Sequence, residues 1–180
     1  MSKKFFSTRA LTEAVMVVAL SAVLSFIKIY RLPQGGSITA GSMVPLIWIS
    51  LRRGPKMGLF TCFVYALVQF SLEPFAYHPI QVLIDYPLAF GVLGLAGLFR
   101  NYPLVGVGVG IGGRFIAHFI SGFIFFAEYA PEGMSPILYS AIYNGSYLLG
   151  ELIVSAIITY IIVKRNLHKI YLEELNNSKK

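Results

Sequence analysis

Six apolar stretches separated by short polar loops dominate the 180-residue chain and restrict what it can fold into. The hydrocarbon core of a bilayer is about 30 Å thick and needs about 20 apolar residues per helix. Stretches of roughly this kind occupy residues 10–30, 39–51, 57–73, 80–99, 103–127 and 137–163. The second is short and contains Pro45, so we expect it to be tilted, broken or shielded by its neighbours. The pattern predicts an all-α integral membrane protein, a single bundle of six transmembrane helices that forms one membrane domain over residues 1–180.

The composition excludes two other classes of protein. Only 13% of the residues are charged and 56% are hydrophobic, whereas a soluble domain carries about 25% charged residues. An ordinary cytosolic enzyme is therefore excluded, and the 14 Phe and 11 Tyr exclude a disordered chain. The net charge of +7 in so apolar a chain indicates basic residues that orient membrane helices, and no nucleic-acid partner is expected.

The placement of the basic residues tests the number of spans. With six helices and both termini cytoplasmic, most of the 15 Lys and Arg residues fall on the cytoplasmic side, as the positive-inside rule requires. They are Lys3, Lys4, Arg9, Arg52, Arg53, Lys56, Arg100, Lys164, Arg165, Lys169, Lys179 and Lys180. The opposite loops hold Lys28, Arg31, Glu73, Glu128 and Glu132. An alternative is a cleaved signal peptide in the first 30 residues, with a poor cleavage site at Ala19-Leu20-Ser21, which would leave five spans.

Several motifs of enzymes and ATPases are missing from the sequence. It contains no G-x-x-x-x-G-K-[ST] phosphate loop, no His-Glu-x-x-His and no G-x-S-x-G. Gly108, Gly110 and Gly113 match G-x-G-x-x-G, but they lie in an apolar run, where Gly106/Gly110 and Gly108/Gly112 are more typical of close helix packing. The three histidines lie far apart and Cys62 is the single cysteine, so we expect no metal, no cofactor and no enzymatic activity.

Four ionisable residues stand out inside the predicted spans, away from their ends: Asp85, Arg114, His118 and Glu151. Each costs about 2.5–3.5 kcal/mol at the centre of a membrane helix, so each needs a partner or a function. Counted from the outer helix ends, Asp85, His118 and Asn144 lie at similar depths in the outer half of the bundle. We expect them to meet there, whereas Glu151 lies deeper and is interpreted as structural.

Helical spacing arranges these residues in two stripes. Arg114, His118, Gly122 and Phe126 recur every four residues on one helix face, and Tyr139, Tyr143 and Tyr147 do so on the next helix, with Asn144 beside them. The two faces predict a pocket for a flat, polar, heteroaromatic ligand, including a cationic one. Alternatively, Arg114 pairs with Asp85 or Glu151 as an interhelical contact, and the tyrosines form an interfacial belt.

Five segments in a fixed order give the chain a family resemblance. They are Arg31-Leu-Pro-Gln-Gly-Gly-Ser-Ile-Thr, Leu51-Arg-Arg-Gly, Asp85-Tyr-Pro-Leu-Ala-Phe-Gly, Gly113-Arg-Phe-Ile-Ala-His-Phe-Ile-Ser-Gly with Phe-Phe-Ala-Glu-Tyr-Ala-Pro after it, and Tyr139-Ser-Ala-Ile-Tyr-Asn-Gly. With these the chain resembles the ThiT family, the thiamine-specific substrate-binding (S) components of energy-coupling factor (ECF) transporters. The resemblance runs from about residue 9 to residue 164 and implies six transmembrane helices with a site near the outer face.

The resemblance also implies roles for individual residues. It assigns thiamine binding to Asp85 and Tyr86, to Arg114, His118 and Gly122, and to Tyr139 and Asn144. Phe126 stands where some members have Trp, which implies a weaker stacking face for the thiazolium cation. Members have an aromatic residue in the first outer loop, where this chain has Gln34-Gly35-Gly36.

The function implied is high-affinity capture of thiamine at the outer face of a bacterial plasma membrane by a multi-pass protein. Energy would come from an ECF module, a transmembrane coupling subunit plus two ATPase subunits, docked on small residues of the first helix at Ala10/Ala14 or Val15/Ala19. The flexible segment 31–39 is a candidate lid. Alternatives are an S component for another vitamin or pyrimidine precursor, a small secondary carrier, and an intramembrane enzyme using His118 and Asp85.

Overall fold

The computed structural model describes residues 7–165. Its helices are α1 (Thr8–Phe26), α2 (Val44–Arg53), α3 (Pro55–Leu72), α4 (Pro79–Phe99), α5 (Pro103–Phe125) and α6 (Pro136–Lys164), and a hairpin of strands β1 (Lys28–Arg31) and β2 (Ser37–Thr39) lies between α1 and α2. The predicted bundle of six helices is confirmed for this part of the chain. Lys3, Lys4, Lys169, Lys179 and Lys180, which entered the charge argument, lie outside the described residues.

Five of the six described helices, α1 and α3 to α6, are long and apolar enough to cross a membrane. The exception is α2, whose 10 residues span about 15 Å, half of a bilayer core. Leu46, Ile47 and Ile49 of α2 are almost fully buried against the other helices. The short second element is therefore shielded by its neighbours, one of the outcomes expected from its length.

The first helix ends four residues earlier than the sequence predicts. Residues beyond Phe26 leave the helix because β1 pairs antiparallel with β2, with Lys28 opposite Thr39 and Tyr30 opposite Ile38. The strands are joined by a short turn in which Gln34 has a left-handed backbone, with φ of 58°. Residues 31–39, the candidate lid, thus belong to a β-hairpin.

Helix α4 changes its winding along its length. A π-helical turn covers Ile84–Leu88 and contains Pro87, and a 3₁₀ segment covers Val92–Phe99. Proline has no backbone N–H and blocks the normal hydrogen bond to the preceding turn, which accounts for a wider turn at this point. The wide turn carries Asp85 and Tyr86, and both residues line a cavity between the hairpin and the helices.

The core of the bundle is built where α4 meets α3 and α5. Tyr65, Phe90, Leu93 and Val107 are buried there together with Leu148 of α6.

The glycines of α5 divide between two faces of the helix. A Cβ on Gly106 would meet the carbonyl oxygen of Ala96 at 2.9 Å, and one on Gly110 would meet Leu93 Cα at 3.3 Å. This pair allows the close packing predicted from the sequence. For Gly108 and Gly112, nothing in the described chain lies within 4 Å of an added Cβ, so the predicted role of that pair in packing is wrong within this chain.

Charged residues cluster at the end of the bundle away from the hairpin. Glu13 of α1 accepts two hydrogen bonds from Arg53 of α2, at 2.7 and 2.6 Å. Arg100, after α4, donates to the carbonyl oxygens of Leu51 and Arg52. The start of α1 and the ends of α2 and α4 therefore share one end, as alternating passes require. That this end is cytoplasmic stays a prediction.

Candidate substrate-binding site

A cavity of about 430 Å³ lies between the hairpin and helices α3 to α6. Its size is within the range of small-molecule sites, about 300–1,000 Å³. All ten residues singled out from the sequence line it, namely Asp85, Tyr86, Arg114, His118, Gly122, Phe126, Tyr139, Tyr143, Asn144 and Tyr147. The structure therefore brings the two predicted stripes and the start of α4 to one place.

A continuous hydrogen-bonded chain joins three of the ionisable residues. Nε of Arg114 donates to Nε2 of His118 at 3.2 Å, and Nδ1 of His118 lies 3.0 Å from Oδ1 of Asp85. Arg stays protonated in proteins and can only donate, so Nε2 of His118 must be an acceptor and Nδ1 carries the proton. His118 is thus fixed as a neutral ring with its proton directed at Asp85.

The other oxygen of Asp85 is held by two polar side chains. Oδ2 accepts from Nε2 of Gln81 at 2.6 Å and from Oγ of Ser121 at 3.0 Å. Gln81 is fully buried, and its own oxygen accepts from the backbone N–H of Tyr77 at 3.0 Å. Gln81 therefore links the carboxylate to the loop between α3 and α4, and its spacing of four residues from Asp85 was the signal that could have identified it.

Arg114 does not form the interhelical ion pair considered from the sequence. Among the described residues, no carboxylate oxygen lies within 4.0 Å of its guanidinium. Arg114 is connected to Asp85 only indirectly, through the ring of His118. The guanidinium carbon instead lies 3.9 Å from the centre of the Phe90 ring, a cation–π contact. The charge is therefore held at the cavity wall rather than neutralised by direct pairing.

Aromatic rings form the outer wall of the cavity. Phe126 contacts Phe75 and Tyr129, with ring centres 5.6 and 6.1 Å apart. On α6, Tyr139 stacks on Tyr143 at 5.8 Å. These rings give the cavity faces on which a flat ligand can stack, and together they attract positive charge.

Helix α6 places its amide against α5. Nδ2 of Asn144 donates to the carbonyl oxygens of Ser140 and His118 at 3.0 and 3.2 Å, and Oδ1 accepts from the Tyr147 hydroxyl at 3.1 Å. The close approach depends on Gly122, since a Cβ there would meet Ser140 Oγ at 2.2 Å and Asn144 Nδ2 at 2.9 Å. Gly122 therefore sets the distance between the two faces of the cavity.

The hairpin closes one side of the cavity. The hydroxyl of Tyr143 accepts from the backbone N–H of Gly36 at 2.9 Å and donates to the carbonyl oxygen of Pro33. Deeper in, Glu151 lines the cavity and accepts from Thr39 of β2. Tyr143 thus supports the hairpin and also forms part of the cavity wall. Glu151 makes a structural contact, in line with its interpretation from the sequence.

Helix α3 contributes residues that the sequence analysis missed. Tyr65, Gln69 and Glu73 line the cavity, and the Tyr65 hydroxyl donates to Gln69, which donates to Glu73. Glu73 also pairs with Lys28 of the hairpin. The three recur at four-residue spacing, so a polar stripe on an apolar helix was the signal that could have identified them.

Within residues 7–165, no three His, Cys, Asp or Glu side chains come together as a metal site would require. The cavity can instead offer hydrogen bonds in both directions, from carboxylates, amides, hydroxyls and an imidazole, beside aromatic faces. It is suited to binding an organic molecule with a polar edge and a flat ring.

Comparisons with known proteins agree with this description. A family model described as thiamine transporter protein matches residues 11–171. The curated thiamine transporter ThiT of Bacillus subtilis is 35% identical, over 82% of this chain and 86% of the relative. The ThiT of Lacticaseibacillus paracasei is 25% identical, over 84% and 83%. A solved structure of ThiT from Listeria monocytogenes superimposes with a TM-score of 0.82 at 27% identity, covering 91% of this chain and 97% of that one.

Proposed function

Because the chain belongs to the thiamine transporter family, we propose that it is the thiamine-binding component of a multi-pass importer in the cell membrane. It captures the vitamin in the cavity under the hairpin and delivers it to a transport complex. The observation that carries this proposal is the meeting of Asp85, His118 and Asn144, from three different helices, at one cavity with aromatic walls.

The chemistry of thiamine matches the groups in the cavity. Its aminopyrimidine ring has donor and acceptor edges, which suit the carboxylate of Asp85 and the amide of Asn144. Its thiazolium ring is a cation, which suits the ring faces around Phe126. Oδ1 of Asp85 accepts one hydrogen bond, from His118, and so has a second lone pair for the amino group, while Gln81 and Ser121 keep hold of Oδ2.

Uptake against a gradient needs an energy source, and the sequence has no phosphate loop. The proposal therefore includes an ECF module with a coupling subunit and two ATPases. Ala10 and Ala14 are buried against Ile49 and Met57 within the chain, so they cannot serve as its docking surface. Val15 and Ala19 lie on the exposed face of α1, and the alternative register Val15/Ala19 is the docking site we propose.

The hairpin is the proposed lid of the cavity. Its glycines, Gly35 and Gly36, line the cavity mouth, and its tip is held to α6 by the hydroxyl of Tyr143. A lid of this kind lengthens the time a captured ligand stays bound.

Binding of thiamine to the purified protein tests the proposal. Calorimetry in detergent is expected to show one thiamine per chain, recovered unaltered after release, while other vitamins and isolated pyrimidine precursors bind at least about tenfold more weakly, about 1.4 kcal/mol. Tighter binding of another compound would identify a different S component. Chemical conversion of thiamine would indicate an enzyme. Uptake into liposomes holding this chain without ATPases would indicate a secondary carrier.

A further inference from the structure

The hairpin is attached to α6 at two points that lie far apart. Near the turn, Tyr143 bonds to Gly36 and Pro33. At the base, Glu151 bonds to Thr39. Eight residues of α6 separate the two attachment points, which is about 12 Å along the helix. The hairpin therefore lies along α6 for more than two turns and is not held by its tip alone.

The deeper attachment is made by a buried carboxylate. Oε1 of Glu151 accepts from the backbone N–H and from the hydroxyl of Thr39, both at 2.7 Å. The Thr39 hydroxyl is also 2.8 Å from Ser42 Oγ, in the turn before α2. Glu151 and Thr39 are 1% and 5% exposed. Two short hydrogen bonds therefore converge on one buried carboxylate oxygen and attach the base of the hairpin to α6.

Glu151 depends on the hairpin for its hydrogen bonds. Its second oxygen, Oε2, is buried and has no hydrogen-bond partner among the described residues. Both of its observed bonds come from Thr39, which is 112 residues away in the sequence. A buried carboxylate without hydrogen bonds is costly, so the carboxylate and the hairpin stabilise each other only while the hairpin is seated.

The packing around this contact fits a hairpin that seats as one piece. Ile38 lies directly on Gly150, where an added Cβ would meet Ile38 Cδ1 at 2.3 Å. Gly36 also lies close to Tyr147, whose ring would be 2.9 Å from an added Cβ. The surface of α6 is thus shaped to receive the part of the hairpin that leads to Thr39.

We propose that Glu151 is a positioning residue that holds the hairpin closed over the cavity and thereby sets the rates at which ligand enters and leaves. The inference rests on the proposed function for the identity of the ligand. The opening of the hairpin is tested separately, without ligand. Glu151 lines the cavity, but its hydrogen bonds go to Thr39, so we expect a weaker contact to change how often the cavity opens.

This role has a kinetic signature that a ligand contact would not have. The contact with Thr39 is present without ligand, so weakening it destabilises the closed form by the same amount with and without ligand. The association and dissociation rate constants then rise together, and their ratio, Kd, stays nearly constant. Loss of a direct contact to the ligand would raise the dissociation rate constant and Kd while leaving the association rate constant unchanged.

Rapid-filtration binding of radiolabelled thiamine to the purified full chain measures both rate constants. Glu151→Gln keeps an oxygen acceptor but removes the charge, and Thr39→Val removes the hydroxyl with little change in shape. Each is expected to raise both rate constants by about fivefold or more, the effect of weakening or losing a charged hydrogen bond, with Kd changed less than about twofold.

Ser155→Ala is the matched control. Ser155 lies one turn further along the same face of α6, is fully buried, has an unpartnered hydroxyl and does not line the cavity. Loss of this hydroxyl is expected to leave both rate constants as in the unmodified chain. That result would show that a change in the buried face of α6 is not by itself enough to speed ligand entry and release.

A second measurement needs no ligand and separates this inference from the proposed function. Ser37→Cys places a thiol on β2 facing the cavity, while the natural Cys62 is fully buried. Without thiamine, maleimide labelling of residue 37 is expected to be about fivefold faster when Glu151→Gln is added.

Two results would overturn the role of Glu151. One is an unchanged labelling rate of the thiol at residue 37. The other is a rise in Kd that comes from the dissociation rate constant alone. Failure of the unmodified chain to bind thiamine, with faster labelling in Glu151→Gln, would refute the proposed ligand and leave the hairpin anchor standing.

Discussion

Nδ1 of His118 donates to Oδ1 of Asp85 across 3.0 Å, joining α5 to the π-helical turn of α4. The proton position follows from Arg114, which occupies the other ring nitrogen as a donor. The pair is therefore oriented before any ligand arrives. Sites organised in this way lose less free energy to ordering on binding.

Asp85→Asn is expected to weaken thiamine binding by at least about 1.5 kcal/mol, roughly tenfold in Kd, because a charged hydrogen-bond acceptor is lost. Isothermal calorimetry on the purified variant measures this change. Glu128→Gln, which alters an exposed acid in the loop after α5, is the control and is expected to bind as the unmodified chain does. Equal affinity of Asp85→Asn and the control would remove Asp85 from the site.

Gln81→Leu is expected to reduce both stability and affinity. It leaves the backbone N–H of Tyr77 without its acceptor and takes one donor from Asp85, at a cost of about 1–3 kcal/mol in unfolding free energy. Thermal unfolding in detergent and calorimetry with thiamine measure the two effects. Thr61→Val, a buried change away from the cavity, is expected to alter stability alone. A Gln81→Leu variant with normal affinity would contradict a link between Gln81 and the site.

Gly122→Ala is expected to separate α5 from α6 and weaken thiamine binding at least about tenfold, since a single misplaced element costs 1.4 kcal/mol or more. The new methyl group overlaps Ser140 Oγ, which bonds to Asn144. Gly112→Ala on the same helix meets nothing within 4 Å and is expected to stabilise the chain by about 0.5–1 kcal/mol. Melting temperatures measure the stability of the two variants, and calorimetry measures their affinity for thiamine. Equal stability and affinity of the two would show that the spacing at Gly122 is unimportant.

Phe126 is expected to contribute stacking and cation–π energy to thiamine binding. Phe126→Leu should weaken binding by about 0.5–2 kcal/mol, and Phe126→Trp should strengthen it because Trp offers the best ring face. Calorimetry with thiamine measures both. Phe63→Leu, at a half-exposed position on α3 outside the cavity, is the control. Thiamine affinity is expected to increase from Leu to Phe to Trp at position 126. The reverse order would exclude the stacking role.

The orientation in the membrane is open to direct labelling. In intact cells, a membrane-impermeant maleimide is expected to react with Glu132→Cys and not with Lys56→Cys, because the positive-inside rule places residue 56 in the cytoplasm. Both positions are exposed and the natural Cys62 is buried. Lysed cells provide the control, since both thiols should then react. Labelling of residue 56 alone in intact cells would show that the chain has the opposite orientation in the membrane.

Much of the fold follows from local features of the sequence. Apolar runs of membrane length predicted the helices, and the four-residue spacing placed Arg114, His118 and Gly122 on one face of α5. Helical periodicity is a property of the chain segment itself, so it can be read before any packing is known. The same holds for the depth argument that led us to expect Asp85, His118 and Asn144 in one region.

The partners of these side chains could not be read in the same way. Nothing near Thr39 in the sequence points to Glu151, and nothing near Lys28 points to Glu73. Such contacts depend on how helices rotate and approach one another, which side-chain packing across the whole bundle decides.

The sequence by itself determined the membrane location, the number of helices and the faces that carry polar groups, because these depend on hydrophobicity and helical repeat. Only the tertiary structure decided that the loop after α1 is a hairpin seated on α6, that the polar stripe of α3 lines the cavity, and that Ala10 and Ala14 are buried. The physical reason is that buried polar groups choose partners by proximity in the folded bundle, and that proximity joins residues far apart in the chain.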